Sequence, residues 1–146
     1  MAIDRQGLGL AITRVSLGLF FTFEGLGKYR WFYDTSILAT RLHDWLRASA
    51  PGSTSRWYLE HVALPGLNAF ARLVPLGELC SGVALLVGFW TPLFAFIAFF
   101  MALNFHVAGG TLFTFGFLTN GYGLPVLGPT LGLTVGGVRL PWRLKS

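Results

Sequence analysis

Charged residues are scarce in this chain. Aspartate, glutamate, lysine and arginine together make up 12% of the 146 residues, whereas 53% of the residues are hydrophobic. A typical soluble domain carries about 25% charged residues, so these few charges are too sparse to cover a water-exposed surface of this size. We therefore expect lipid to cover part of the molecule, and the lipid bilayer is the first predicted partner.

Cysteines and clustered metal ligands are scarce as well. The single cysteine, Cys80, lies in an apolar run, where we expect a buried structural thiol, and it excludes an intrachain disulfide and a CxxC site. His43 and His61 share one loop without the spacing of a ligand pair, so we predict no metal site. The net charge of +5 comes from basic residues spread along the chain. That distribution suits lipid headgroups, and we expect no nucleic-acid partner.

Long apolar stretches divide the chain into four predicted transmembrane helices. About 20 residues of helix cross the ~30 Å hydrocarbon core of a bilayer. Stretches of suitable length and hydropathy cover residues 8–27, 69–89, 92–107 and 120–138. The first is longer than the apolar region of a cleavable signal sequence. The predicted fold is therefore all-α, with a single membrane domain over 1–146 that forms an integral membrane four-helix transmembrane bundle.

The loop over residues 31–68 is predicted to have a structure of its own. Apolar positions recur at helical spacing over about 35–48, and Asp34 precedes them as a predicted N-cap. The pattern predicts an interfacial amphipathic helix with its apolar side toward lipid or toward the bundle. A second short helix is predicted over about 54–63. The apolar side of the first helix comprises Ile37, Leu38, Arg41, Leu42, Trp45 and Leu46.

Among the ionisable side chains inside the predicted spans, the three strongest candidates for chemistry are Arg14, Glu24 and Glu78. Each costs roughly 2.5–3.5 kcal/mol at a helix centre on insertion scales, so each requires a physical reason. Counting residues from the membrane surface in antiparallel helices, we expect Glu24 to pair with Arg72. By the same count, Arg14 reaches toward Glu78 from the opposite surface. Lys28 follows Glu24 by one helical turn and is a second partner for it.

Three interpretations of these groups are open. They can be ion pairs that lock the first helix onto the second. They can line a polar pocket, reached from lipid, in which a carboxylate takes up protons while a quinone headgroup is reduced or oxidised. Glu78 can also be a neutral, protonated group that is hydrogen-bonded inside the protein. The candidate pocket residues are Arg14, Glu24, Lys28, Arg72 and Glu78.

His106 and the phenylalanines of the third span are further candidates. A single histidine is able to ligate one haem or one chlorophyll magnesium, but a hydrogen-bonded histidine at the interface is the commoner arrangement, and we do not expect a pigment or haem contact. The phenylalanines suit a lipid-facing surface, with the lining of an isoprenoid tail as the alternative. They are Phe94, Phe96, Phe99, Phe100 and Phe105. The cofactor is left open, with a quinone as the candidate.

Glycines mark the fourth predicted span. Gly128, Gly132 and Gly136 form two overlapping GxxxG steps, a spacing that lets another helix backbone approach closely in a membrane. The partner helix is internal or belongs to another subunit, so other membrane subunits are expected partners. The chain is then predicted to end at the membrane interface with Arg139, Trp142, Arg143 and Lys145.

Two spaced sets of residues in the first two spans form a recognisable pattern. The first is an arginine, then glycines, then a lysine at the far end of the span: Arg14, Gly18, Gly25 and Lys28. The second is a glutamate, a GxxLLxG stretch and a threonine turn: Glu78, Gly82, Leu85, Leu86, Gly88 and Thr91. Over about residues 10–107 the chain thus resembles the DoxX/DoxD family of small four-helix membrane proteins. It differs from many members in its long first loop and in Pro92.

The resemblance implies a role beside quinone-linked electron transfer. Members are described as subunits of thiosulfate:quinone oxidoreductase or terminal quinol oxidase systems, and others as scaffolds of redox complexes. We therefore expect a membrane subunit of a quinone-linked oxidoreductase complex, in a bacterial cytoplasmic membrane that the chain crosses several times. The alternative is a non-catalytic accessory or scaffold subunit of a larger respiratory or photosynthetic complex. A small transporter is a weaker hypothesis, because the spans offer few polar residues.

Overall fold

The computed structural model describes residues 5–137, and all regular secondary structure in that range is helical. A 3₁₀ turn at Tyr29–Phe32 follows the first helix, and a π-helical turn at Leu59–Ala63 continues the third. The predicted all-α fold is confirmed. The α-helices of the described range are α1 Arg5–Gly27, α2 Ser36–Ala48, α3 Thr54–Tyr58, α4 Leu67–Val87, α5 Thr91–Ala108, α6 Phe115–Thr119 and α7 Leu124–Gly136.

Three of these helices are long and apolar enough to cross a bilayer, namely α1, α4 and α5 with 23, 21 and 18 residues. At 1.5 Å per residue they measure about 35, 32 and 27 Å. Large apolar side chains remain exposed on them, such as Phe23 at 68% and Leu73 at 64%. Such surfaces require lipid rather than water. Cys80 is also exposed on α4, so the expectation of a buried thiol is wrong.

Helix α7 is shorter than the predicted fourth span, with 13 described residues, and begins at Leu124 rather than at residue 120. The side-chain oxygen of Asn120 accepts hydrogen bonds from the backbone N–H groups of Tyr122 and Gly123, both at 2.8 Å. These bonds close a turn in place of the first helical turn. The predicted end of this span and the interfacial residues at 139–145 lie outside the described residues.

Helices α1 and α4 run antiparallel with their backbones in contact. A Cβ added at Gly25 would lie 2.7 Å from the backbone nitrogen of Leu79, and one at Gly18 would lie 2.8 Å from that of Leu86. One at Gly82 would lie 2.8 Å from the Cα of Thr22. Only glycine permits this approach, because any side chain would separate the two backbones. The α1–α4 seam is thus built by glycines of the first two spans.

The apolar core has two parts. The first lies within the bundle and joins α1, α4, α5 and α7 through Leu17, Phe21, Leu85, Ala95, Ala98, Val126 and Leu133. The second lies beneath the first loop and comprises Trp31, Leu38, Leu42, Leu59, Ala63, Ala71, Val74 and Ala108. The loop helices therefore pack onto one end of the bundle and cover it.

Helix α2 turns its apolar side toward the bundle, with Leu38 and Leu42 each 4% exposed. Of the two predicted orientations, lipid or bundle, the structure has the second. Thr35 rather than Asp34 occupies the N-cap position. Asp34 still holds the start of the helix, because its side-chain oxygen accepts a hydrogen bond of 3.0 Å from the backbone N–H of Ser36. The loop helices thereby become one wall of a cleft at this end of the bundle.

Candidate polar cleft at the end of the bundle

A cleft of about 640 Å³ opens between the covering helix α2 and the ends of α1 and α5. Its lining is largely apolar and rich in aromatic side chains, and its charged groups are Glu24, Lys28, Arg41 and Glu78. A volume of this size falls in the range of small-molecule sites, which are typically apolar with a few convergent polar groups. The lining includes Phe20, Glu24, Lys28, Trp31, Arg41, Trp45, Glu78, Phe105, His106, Asn120 and Tyr122.

Helical spacing explains how α1 supplies one wall. Phe20, Glu24 and Lys28 recur every four residues, so their side chains lie above one another on a single helix face. Lys28 directly follows the last residue of α1, and its backbone N–H still bonds to the carbonyl of Gly25 at 3.2 Å. The ammonium group can therefore turn inward toward α4 while its neighbours leave the helix.

Lys28 bridges two carboxylates at the floor of the cleft. Its Nζ lies 2.9 and 2.7 Å from the two oxygens of Glu78, and 2.7 Å from one oxygen of Glu24. The Lys28 and Glu78 side chains are 11% and 5% exposed, and Glu24 is 32% exposed. The cluster therefore extends from the bundle interior to its surface and carries a formal charge of −1.

Aromatic rings surround the ammonium group on the cleft side. Nζ of Lys28 lies 5.9 Å from the ring centroid of Trp31 and 5.5 Å from that of Phe105. A cation in this position is attracted by the electron-rich ring faces. Burial of the Lys28 and Glu78 side chains, which are 11% and 5% exposed, strengthens the ion pair between them.

The expected partners of the membrane-embedded charges need correction. Glu24 pairs with Lys28, the second of its predicted partners. Arg72 instead donates to its own helix, at the carbonyl of Asn68 2.7 Å away, and is exposed. Arg14 is buried at 3% exposure, but it lies almost four helical turns before Lys28, about 21 Å along α1. It therefore cannot reach Glu78, and neither arginine lines the cleft.

The α2 contribution to the cleft was missed by sequence reasoning. Ile37, Arg41 and Trp45 follow one another at intervals of four and line the cleft from above. Arg41 had been grouped with the apolar side of α2 because of its spacing. The available signal was a single arginine in an otherwise apolar helical stripe. A charged side chain on such a stripe is uncommon unless it is paired or faces a polar site.

His106 connects α5 to Thr111 and Tyr122, which line the remaining wall of the cleft. One ring nitrogen, Nε2, donates to the backbone carbonyl of Tyr122 at 2.9 Å, which leaves Nδ1 to accept from the Thr111 hydroxyl at 2.9 Å. Both nitrogens are thus engaged, and neither is available to a haem or chlorophyll metal. Among residues 5–137, no three metal-binding side chains approach closely enough to hold an ion.

Most of the remaining candidates lie away from the cleft. Gly128 and Gly132 face open space, so no helix of the described chain packs on them, and Gly136 meets only Leu10, at an ordinary 3.7 Å. For the first two glycines the internal-partner alternative is therefore wrong. Among the phenylalanines of α5, Phe96 and Phe100 are about half exposed toward lipid, whereas Phe105 lines the cleft.

Comparison with protein families gives one match. The DoxX family model matches residues 9–104, which extend from within α1 to within α5. The matched range contains the Lys28, Glu24 and Glu78 cluster. No curated protein and no solved structure matches the chain.

Proposed function

The chain belongs to the DoxX family of membrane proteins, and from that premise we propose that it is the quinone-binding membrane subunit of an oxidoreductase complex. The observation that carries the proposal is the Lys28 ammonium held between Glu24 and Glu78 at the floor of an aromatic cleft. An ion-pair lock between two helices would not require a cleft of about 640 Å³ above it.

The lining suits a planar aromatic headgroup. Trp31, Trp45 and Phe105 offer ring faces and edges against which a flat ring packs, and such contacts contribute about 0.5–1.5 kcal/mol beyond area burial. Only a few polar groups converge on this apolar space. That combination is typical of sites that orient a small molecule by hydrogen bonds while burying most of its surface.

The carboxylates supply proton chemistry. Reduction of a quinone takes up protons and oxidation of the hydroquinone releases them, so a bound quinone needs groups that exchange protons with its surroundings. Glu78 is in position to hold such a proton at a carboxylate oxygen. Glu24, about one-third exposed and joined to the same ammonium, offers the next carboxylate toward the surface. Lys28 keeps the two carboxylates together.

The proposal is tested by calorimetric titration of the purified protein in mild detergent with a decyl-substituted benzoquinone, in its oxidised and reduced forms. We expect saturable binding of at least one form. Glu78→Gln should weaken that binding about tenfold or more, which corresponds to the loss of one charged hydrogen bond. Lys28→Met should also weaken it, because the two carboxylates lose the cation that holds them at the cleft floor.

Glu60→Gln is the matched control, because it makes the same chemical change in an exposed acid that pairs with Arg56 outside the cleft. It should bind like the unaltered protein. Absence of saturable binding by both redox forms would overturn the proposal, and so would equal affinities in the unaltered protein and in both cleft variants.

A second candidate is the accessory subunit, which the open face of α7 favours. Gly128 and Gly132 present a backbone surface with nothing within 4 Å, the geometry that a helix of another subunit requires. We expect Gly132→Leu to release the chain from a complex isolated from its own membrane in mild detergent. Retention of this variant at the unaltered level would argue against docking through α7.

A further inference from the structure

The ammonium donor at the floor of the cleft is already fully engaged. An ammonium group has three N–H donors and no acceptor. Nζ of Lys28 lies within 2.9 Å of three carboxylate oxygens, two on Glu78 and one on Glu24. A ligand that enters the cleft therefore meets an ammonium whose hydrogens are taken, and it can gain one only by displacing a carboxylate.

The same cluster still has acceptor capacity. Each ionised carboxylate has about four lone-pair sites. Within residues 5–137, the Lys28 contacts occupy one oxygen of Glu24 and leave the other, Oε1, open. The two Glu78 oxygens each accept from Lys28 and retain further lone pairs. The cleft floor consequently presents acceptors with a surplus negative charge, and it favours a ligand that donates.

The surroundings argue for a neutral donor rather than a cation. Arg41 lies exposed at the rim of the cleft and repels a positively charged ligand on entry. Aromatic side chains make up much of the wall, and they favour a flat, uncharged ring. A neutral aromatic molecule with hydroxyl groups can donate to the carboxylates at the floor, pack against the aromatic wall and pass Arg41 without charge repulsion.

We infer that the cleft selects the hydroquinone form of its ligand over the quinone form, because hydroquinone hydroxyls donate to Glu24 and Glu78 whereas quinone oxygens only accept. This inference rests on the proposed function and specifies its substrate. A quinone carbonyl has no hydrogen to donate to these oxygens, so the oxidised form gains no hydrogen bond from the carboxylates at the cleft floor. Hydrogen bonds to charged groups are the stronger kind, which makes the discrimination large.

The test compares three ligands of the same shape by anaerobic calorimetric titration of the protein in mild detergent. They are a decyl-substituted benzoquinone, its hydroquinone and the dimethyl ether of that hydroquinone. We expect the hydroquinone to bind at least about tenfold more tightly than the other two. The ether separates donor capacity from redox state, since it is reduced like the hydroquinone but has no O–H group.

Two variants test which carboxylates are responsible for the preference for hydroquinone over quinone. Glu78→Gln replaces an acceptor by an amide that also donates, and it should reduce the preference for hydroquinone to less than about threefold. Glu24→Gln, at a more exposed position, should reduce it in the same direction, so the test survives if the Glu78 variant fails to fold. Glu60→Gln should keep the full preference.

The outcomes separate this inference from the function on which it rests. If no ligand binds, both fail. If quinone and hydroquinone bind equally, or the quinone binds more tightly, the quinone-binding function stands and the inference is overturned. The inference is also overturned if the dimethyl ether binds as tightly as the hydroquinone.

Discussion

Lys28 and Glu78 are 50 positions apart in the chain, yet the ammonium of one lies 2.9 and 2.7 Å from the two carboxylate oxygens of the other. The contact joins the end of α1 to the middle of α4 beneath the cleft. Neither helix places these groups together by itself. Their meeting depends on the close α1–α4 seam, where glycines let the backbones touch.

Replacing Lys28 by methionine should destabilise the protein strongly. The substitution keeps a long side chain but leaves the Glu78 and Glu24 carboxylates without their cation. Removal of one partner of a buried ion pair typically costs 3–5 kcal/mol, about the loss we expect here. Unfolding in mixed detergent micelles with increasing dodecyl sulfate, followed by circular dichroism, measures it.

Arg47→Met is the control for that experiment. Arg47 pairs with Asp44 on α2, but the two side chains are 76% and 55% exposed. Exposed pairs contribute about 0–1 kcal/mol, so this variant should unfold nearly like the unaltered protein. If both methionine variants lost the same stability, the Lys28 cluster would have no special structural role.

A methyl group should be tolerated on α7 and not on the α1–α4 seam. Gly82→Ala places a Cβ against the backbone of Thr22, which cannot move without separating the helices. We expect it to cost about 1–3 kcal/mol, as overpacking of a tight interface does. Gly128→Ala meets nothing within 4 Å and should be neutral or slightly stabilising. The same micelle unfolding assay compares the two variants. Equal losses of stability would contradict a tight backbone contact at the α1–α4 seam.

His106→Leu should loosen the segment from Thr111 to Tyr122. The imidazole joins both ends of this segment to α5 through two hydrogen bonds of 2.9 Å. Leucine keeps much of the volume and removes both bonds. Amide hydrogen exchange should therefore become faster between residues 111 and 122 while α1 and α4 exchange as before. Unchanged exchange in this segment would show that packing, rather than His106, holds the wall.

Stability at alkaline pH should depend on Tyr58. Burial raises the pKa of the Tyr58 phenol above its usual value, and the phenol donates a hydrogen bond to the side-chain oxygen of Asn104. With the folded pKa above the unfolded one, the contribution of the neutral phenol is fully present below about pH 10. It is lost as the pH rises through the folded pKa.

Tyr58→Phe should remove this alkaline loss, at a cost of about 1 kcal/mol at neutral pH from the missing hydrogen bond. Micelle unfolding measured across the pH range gives both effects. Tyr33→Phe, at a phenol that is 87% exposed, is the control and should keep the original profile. A Tyr58→Phe profile with the same alkaline decline would contradict the assignment.

The three long helices of the bundle, α1, α4 and α5, were predictable because their signal is local. Each apolar run is long enough to cross a bilayer, and that property belongs to the run itself, whatever its neighbours are. The expected 69–89 span is observed as Leu67–Val87 and the expected 92–107 span as Thr91–Ala108. The helix at Ser36–Ala48 was equally visible, since its amphipathic period lies within 13 residues.

The pairing of charges was only partly predictable. Counting residues from a membrane surface gives the depth of a side chain, but it does not give the direction in which that side chain points around its helix. Arg72 has a depth that suits Glu24, and yet its side chain is exposed and bonded to the backbone of its own helix. The pairing of Glu24 with Lys28 follows from their i, i+4 spacing on one helix and needs no tertiary information. The structure contains this ion pair.

The sequence by itself determined that this protein is embedded in lipid, that it is helical and that it carries a few energetically costly charges. Hydropathy and helical periodicity are properties of neighbouring residues, so they can be read without knowing the rest of the fold. Only the tertiary structure decided that Lys28 meets Glu78, that Arg41 and Trp45 complete the cleft, and that Gly128 and Gly132 face outward. Those outcomes depend on the rotation of each helix about its axis and on the depth to which neighbouring backbones interpenetrate. Both are set by packing between segments far apart in the chain.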